Sequence, residues 1–147
     1  MRVLLAILAT ALFAGCTVPA ATLESSSLAA RAPESLDQAG RLDAAHPEAR
    51  FLIHVPAGAS GVRFDLTWAS AQENLAPEAT LLDLHGQPAA TGGHQTAGGG
   101  PRGASYGGIT SGVWDAPPGD YLLRVGFPFA FPQGDAFDVA LHAGPSA

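Results

Sequence analysis
The sequence predicts an all-β domain: a single antiparallel sandwich of two sheets behind a short apolar N-terminal segment. Three observations carry this. Apolar residues recur at every second position in several runs separated by turn residues. The 147 residues include 18 glycines and 12 prolines, a balance that suits short strands and many turns. No segment carries a helical apolar stripe, so the apolar face of one strand layer has to be covered by a second sheet.

The first element is the segment Met1 to Cys16. Arg2 gives it a positive start, and Val3 to Ala14 are almost wholly small or apolar. A run of about a dozen residues is too short for the roughly 20 that span a bilayer as a helix. With a basic start and small residues at its end, it reads as a cleavable export signal. Leu12-Phe13-Ala14-Gly15-Cys16 resembles the lipobox of bacterial lipoproteins, with Phe13 standing where Leu, Val or Ile is usual. The resemblance implies that residues 1–15 are removed and that the Cys16 thiol takes a diacylglyceryl group. Thiol chemistry suits this because the acceptor must be a good nucleophile. Each buried methylene contributes about 0.8 kcal/mol, and stable anchoring takes more than one chain, which a di- or triacylated (palmitate-type) N-terminus supplies. The expected address is the cell membrane or outer membrane, with the domain facing periplasm or exterior. Cys16 is the only cysteine, so no internal disulfide can form.

Composition narrows the partners. The formal charge of −6 includes Arg2, so the chain without it stands at −6 − 1 = −7. There is no lysine, and the remaining arginines are scattered. An acidic chain of this kind lacks the footprint of a nucleic-acid binder and the polybasic patch that holds anionic lipid. Membrane contact is expected through the N-terminal lipid alone, with an envelope protein or polysaccharide as the partner of the domain.

Residues 16–35 are rich in Ala, Ser and Pro and read as a lipidated N-terminus and flexible linker, with a short helix conceivable at Leu28 to Arg31. The domain is placed at 36–147, with the period of two beginning from Gly40. Phe51, Ile53 and Val55 alternate with Arg50, Leu52 and His54 until Pro56-Ala57-Gly58 breaks the run. Val62, Phe64, Leu66 and Trp68 alternate with Arg63, Asp65 and Thr67. Thr80, Leu82 and Leu84 alternate with Leu81, Asp83 and His85 up to Gly86. Gly92 to Gly108 is expected to be a long loop, followed by a strand over Ile109 to Trp114. Pro117-Pro118-Gly119-Asp120 makes a turn into Tyr121, Leu123, Val125 and Phe127. Gln133-Gly134-Asp135 is expected to join this strand as a hairpin to the last one, where Phe137, Val139 and Leu141 point inward. Each inward apolar side chain contributes roughly 1.5–3 kcal/mol when buried.

Two blocks stand out within this pattern: Val55-Pro56-Ala57-Gly58-Ala59 between two strands, and Pro117-Pro118-Gly119-Asp120-Tyr121-Leu122-Leu123-Arg124-Val125 before a closing strand. Their order resembles that of bacterial pre-peptidase C-terminal domains, over roughly Asp37 to His142. The family's acidic central segment is missing; Pro77 to Leu84 stands there instead. The resemblance implies a jelly-roll-like sandwich and a non-catalytic role in binding or secretion.

The residues offer few chemical constellations. Gly103-Ala104-Ser105-Tyr106-Gly107 matches the G-x-S-x-G pattern and would make Ser105 the nucleophile of a small envelope hydrolase. That chemistry requires a sharp strand-to-helix turn with a His and an acid around it. His54, His85 and His142 each fall on the polar face of an expected strand, and three imidazoles on one sheet face would bind zinc or copper. Spacing such as H-x-H or H-E-x-x-H is absent, so solvated surface histidines are the simpler reading, and neither a metal nor another cofactor is expected. Asp65, Asp83, Asp120 and Asp138 alternate outward and read as solubilising charge. The remaining candidate is Phe127-Pro128-Phe129-Ala130-Phe131-Pro132. Its prolines exclude a central strand. Phe129 and Phe131 either stack on a sugar or protein partner or fold inward and plug one end of the core. The expected function is a non-catalytic binding or structural module.

Overall fold
The computed structural model describes residues 32–72 and 74–147. Cys16 and the Leu28 to Arg31 segment lie outside them. The described residues form eight strands: β1 (Leu36–Leu42), β2 (Ala49–Val55), β3 (Gly61–Ser70), β4 (Glu78–Leu82), β5 (Gly92–Arg102), β6 (Ser105–Asp115), β7 (Gly119–Gly126) and β8 (Phe137–Ser146). All pairings are antiparallel. One sheet has the order β1-β8-β3-β6-β5 and the other β2-β7-β4. The protein is thus an all-β, two-sheet sandwich.

The pairings β1–β8, β2–β7 and β3–β6 are those of one long hairpin rolled up, the jelly-roll scheme. In a regular jelly roll β4 and β5 would pair as well. Here β5 leaves β4 and joins β6, and only a bridge from Leu82 to Pro88 remains at the edge of β4. Successive strands therefore alternate between sheets everywhere except at β5–β6. The chain reverses at one end of the sandwich after β2, β4 and β6. It reverses at the other after β1, β3, β5 and β7.

The core follows the period of two. Val62, Phe64, Leu66 and Trp68 of β3 face Ile53 and Val55 of β2, Leu81 of β4 and Leu123 and Val125 of β7, all buried. Phe137, Val139, Leu141 and Ala143 of β8 continue the same layer. β4 departs from the expected phase. Ala79 and Leu81 face the core, while Leu84 is exposed in the turn after the strand, whose Asp83 carboxylate accepts from the His85 and Gln87 N–H groups. The short strand stops at Leu82 because Asp83 offers the backbone this local partner instead of a ladder.

Three further expectations are corrected. Gly92 to Gly108 is not a long loop but the β5–β6 hairpin, closed by Gly103-Ala104 with Gly103 at φ 69°. Its glycines are occupied from the core side. A Cβ at Gly99 would stand 2.5 Å from the Trp68 ring, and one at Gly112 2.6 Å from the Phe64 ring. The aromatics of β3 lie across side-chain-free strand, which supplies apolar cover that the glycines lack. Next, Gln133-Gly134-Asp135 does not close a hairpin, because β7 and β8 belong to opposite sheets and 127–136 crosses between them. Last, regular structure begins before Gly40: β1 starts at Leu36 and pairs with β8. Ahead of it, Ala32 is buried and the Pro33 carbonyl accepts from the His54 N–H at 2.8 Å.

The crossover before β7 is fixed by Tyr121, whose hydroxyl donates to the Pro117 carbonyl at 2.7 Å. This ties the strand back to its own turn, in the manner of the tyrosine corner of other sandwiches. Tyr121→Phe should lower the unfolding free energy by about 0.5–1.5 kcal/mol in urea titrations, the net contribution of one hydrogen bond. No change would show that the turn is held by its prolines alone.

Candidate functional site
The aromatic segment occupies the end of the sandwich opposite to the one where the chain enters β1. It leaves β7 at Gly126 and runs to β8, as its prolines require. Its rings build outward from the core. Phe137 is fully buried and packs on Trp68 at 6.4 Å between centroids. Phe127 meets Phe137 at 4.8 Å and Phe131 meets it edge-on at 5.8 Å; both are half-buried. Phe129 rests on Phe127 at 5.6 Å and is 52% exposed. The two residues singled out from sequence are thus divided: Phe131 plugs the core and Phe129 stands in solvent on an aromatic base. Edge-to-face and tilted contacts of this kind contribute beyond their buried area, so the exposed ring is held in place rather than free.

The root of the segment is pinned by polar groups that the sequence did not point to. The buried Ser70 hydroxyl donates to the buried Asp135 carboxylate at 2.5 Å, and the other Asp135 oxygen accepts from the Ala136 N–H at 2.7 Å. Gln72 Nε2 donates to the Gly134 carbonyl at 3.0 Å. These bonds join the β7–β8 crossover to the end of β3. The first turn on the same end, after β1, is organised by Asp43, which accepts from the Ala45 and His46 N–H groups. The bond from the His46 N–H holds the Asp43 carboxyl below its ordinary value, and that from the Gln87 N–H does the same for Asp83 at the far end.

The other candidates are separated. Ser105 sits where the hairpin enters β6, and its hydroxyl donates to the Arg102 carbonyl at 3.1 Å. The motif around it forms a strand-turn-strand, not the strand-to-helix elbow that G-x-S-x-G chemistry uses. His54 lies on the outer face of the three-stranded sheet, with its Nδ1 2.7 Å from Asp120 Oδ1. His142 lies on the outer face of the five-stranded sheet, and His85 lies in the turn after β4 rather than on a strand. The three face different ways, and among the described residues no group of three or more His, Cys, Asp or Glu is placed to hold a metal. Each outward aspartate has its own neighbour: Asp65 accepts from Ser111 at 2.6 Å and Asp138 pairs with Arg41 at 3.1 Å. On the outer face of the β5–β6 hairpin, Gly98, Gly100 and Gly107 leave a shallow open trough of about 320 Å³ between Ile109 and Arg102.

No protein-family model matches the chain, and neither curated proteins nor solved structures give a significant match.

Proposed function
We propose that the chain is a lipid-anchored cell-envelope protein whose sandwich is a non-catalytic binding module related to pre-peptidase C-terminal domains. The observation that carries the reading is the position of the lone cysteine, directly behind a basic, apolar, small-residue segment. Lipid on Cys16 accounts for the absence of any basic membrane patch in an acidic chain. The segment 17–31, ahead of the docked Ala32 and Pro33, could span at most about 50–55 Å and gives the domain working distance from the bilayer. The jelly-roll pairing supports the family resemblance. Phe129, exposed at the end away from the chain's entry, is the anchor for an envelope protein or polysaccharide, because a preorganised exposed ring contributes much contact area at little entropic cost. Ser105 has no role in this reading beyond closing its hairpin.

The anchor is tested by metabolic labelling with a palmitate analogue. Wild-type chain should incorporate the label and partition into the membrane fraction. Cys16→Ala should do neither. Equal labelling of the two would refute the reading.

A further inference from the structure
We infer that the free edge of β5 is a strand-addition surface, and that its occupant is the same edge of a second copy of this chain. The argument starts from the hydrogen-bond phase. The Ala116 N–H donates to the Ser60 carbonyl, one step beyond the Gly61–Asp115 pair. In an antiparallel ladder alternate residues turn their backbone groups to alternate sides. On β6, even-numbered residues therefore bond to β3 and odd-numbered ones to β5. Their partners on β5 are Gly92, His94, Thr96, Gly98, Gly100 and Arg102. The N–H and C=O groups of Gly93, Gln95, Ala97 and Gly99 point the other way, away from the sheet. Pro101, which has no N–H to offer, falls in the same outward set.

Among the described residues β5 pairs only with β6. Two other edges are covered. The Ala89 N–H donates to the Leu81 carbonyl alongside β4, and Pro33 accepts from His54 on β2. Among the described residues β5 has no such cover, and its 11 residues hold no carboxylate, no lysine and no proline before Pro101; its irregularity is confined to its start, where Gly93 takes φ 120°.

The outward groups are self-complementary. A twofold axis through Thr96 pairs Gly93 with Gly99 of the partner subunit and Gln95 with Ala97 of the partner subunit. Each pair exchanges both N–H···O=C bonds. Thr96 then faces its own copy, a favourable cross-strand pair, and His94 faces a glycine, so no like charges meet. Closed twofold association satisfies the outward groups of Gly93, Gln95, Ala97 and Gly99 at once and leaves no growing filament end at β5. The glycines keep the approach unobstructed: a Cβ at Gly98 or Gly100 would meet nothing within 4 Å.

The test uses the full chain in mild detergent, in a Cys16→Ser background that removes the native thiol. Thr96→Cys places two thiols across the axis at about 4.5 Å between Cα atoms, within disulfide range. Oxidation should convert most of it to covalent dimer, at least tenfold more than Ile109→Cys, an exposed control on the neighbouring strand. Ala97→Pro removes an outward N–H without touching a bond to β6. Added to Thr96→Cys, it should abolish the cross-link, with the circular dichroism and thermal midpoint of the parent retained. In analytical ultracentrifugation, Cys16→Ser alone should show a concentration-dependent dimer and the Ala97→Pro variant a monomer. A chain monomeric at every concentration, an edge that takes only a foreign extended peptide, or cross-linking that survives a folded Ala97→Pro overturns the inference. Lipid labelling at Cys16 is unaffected by any of these outcomes.

Discussion

Trp68→Ala is expected to cost about 3–5 kcal/mol of unfolding free energy, the range for removing a large buried aromatic side chain. The residue is 4% exposed and sits at the middle of three dependencies. It belongs to the alternating face of β3, it packs on Phe137 at the root of the aromatic segment, and its ring covers Gly99. The third of these makes the loss more than a cavity. Without the indole, the inner face of β5 around Gly99 has neither its own side chains nor a borrowed one. Hydrogen exchange should therefore quicken first along β5 and β6, ahead of β2 and β7. Urea titration gives the size and exchange mass spectrometry the order. A uniform loss of protection across both sheets would show that Trp68 is ordinary core. Domains of this size hold roughly 5–15 kcal/mol in total, so the variant should be folded only under mild conditions.

The second large effect is expected at Asp135. Asp135→Ala removes the carboxylate that accepts from the Ser70 hydroxyl and from the Ala136 N–H. Losing hydrogen bonds to a buried charged group costs about 1.5–3 kcal/mol. The consequence is local as well as global, because this carboxylate fastens the crossover that carries Phe129. Limited proteolysis should cut the variant within 127–136 while the wild type resists, and Asp135→Asn, which keeps an acceptor oxygen, should lie between. If Asp135→Ala is destabilised without becoming sensitive there, the aromatic contacts hold the segment unaided.

Much of the architecture was legible because a half-buried strand writes its phase into alternate residues. β2, β3, β7 and β8 all place inward the residues their patterns indicate, down to Phe137, Val139 and Leu141. β5 was not legible for the converse reason. With Gly92, Gly93, Gly98, Gly99 and Gly100 among its residues and no large apolar side chain among the others, it has nothing in which a hydrophobic period can appear. Its apolar cover is written in another strand, at Phe64 and Trp68. β1 was hidden similarly, since only Leu36 and Leu42 at its ends are buried and the five residues between them are exposed. The site was half legible. The composition of 127–132 marked it as an exposed-aromatic candidate, and its prolines placed it in a connection. Which ring faces water depends on the position of Phe137 and on the Ser70–Asp135 bond. That bond joins residues 65 apart and leaves no local trace.

The rolled-hairpin pairing has a consequence for the order of events in the life of the chain. Among the described residues β1 has no sheet neighbour but β8, and β3 is flanked by β6 and β8. β1 and β3 are therefore completed only by β8. Contacts of such long sequence separation form late and slowly. Until residues 137–146 have been synthesised, the five-stranded sheet lacks its second strand, and the chain has no finished sandwich to fold into. A sandwich closed in this way stays threadable until β8 has been made.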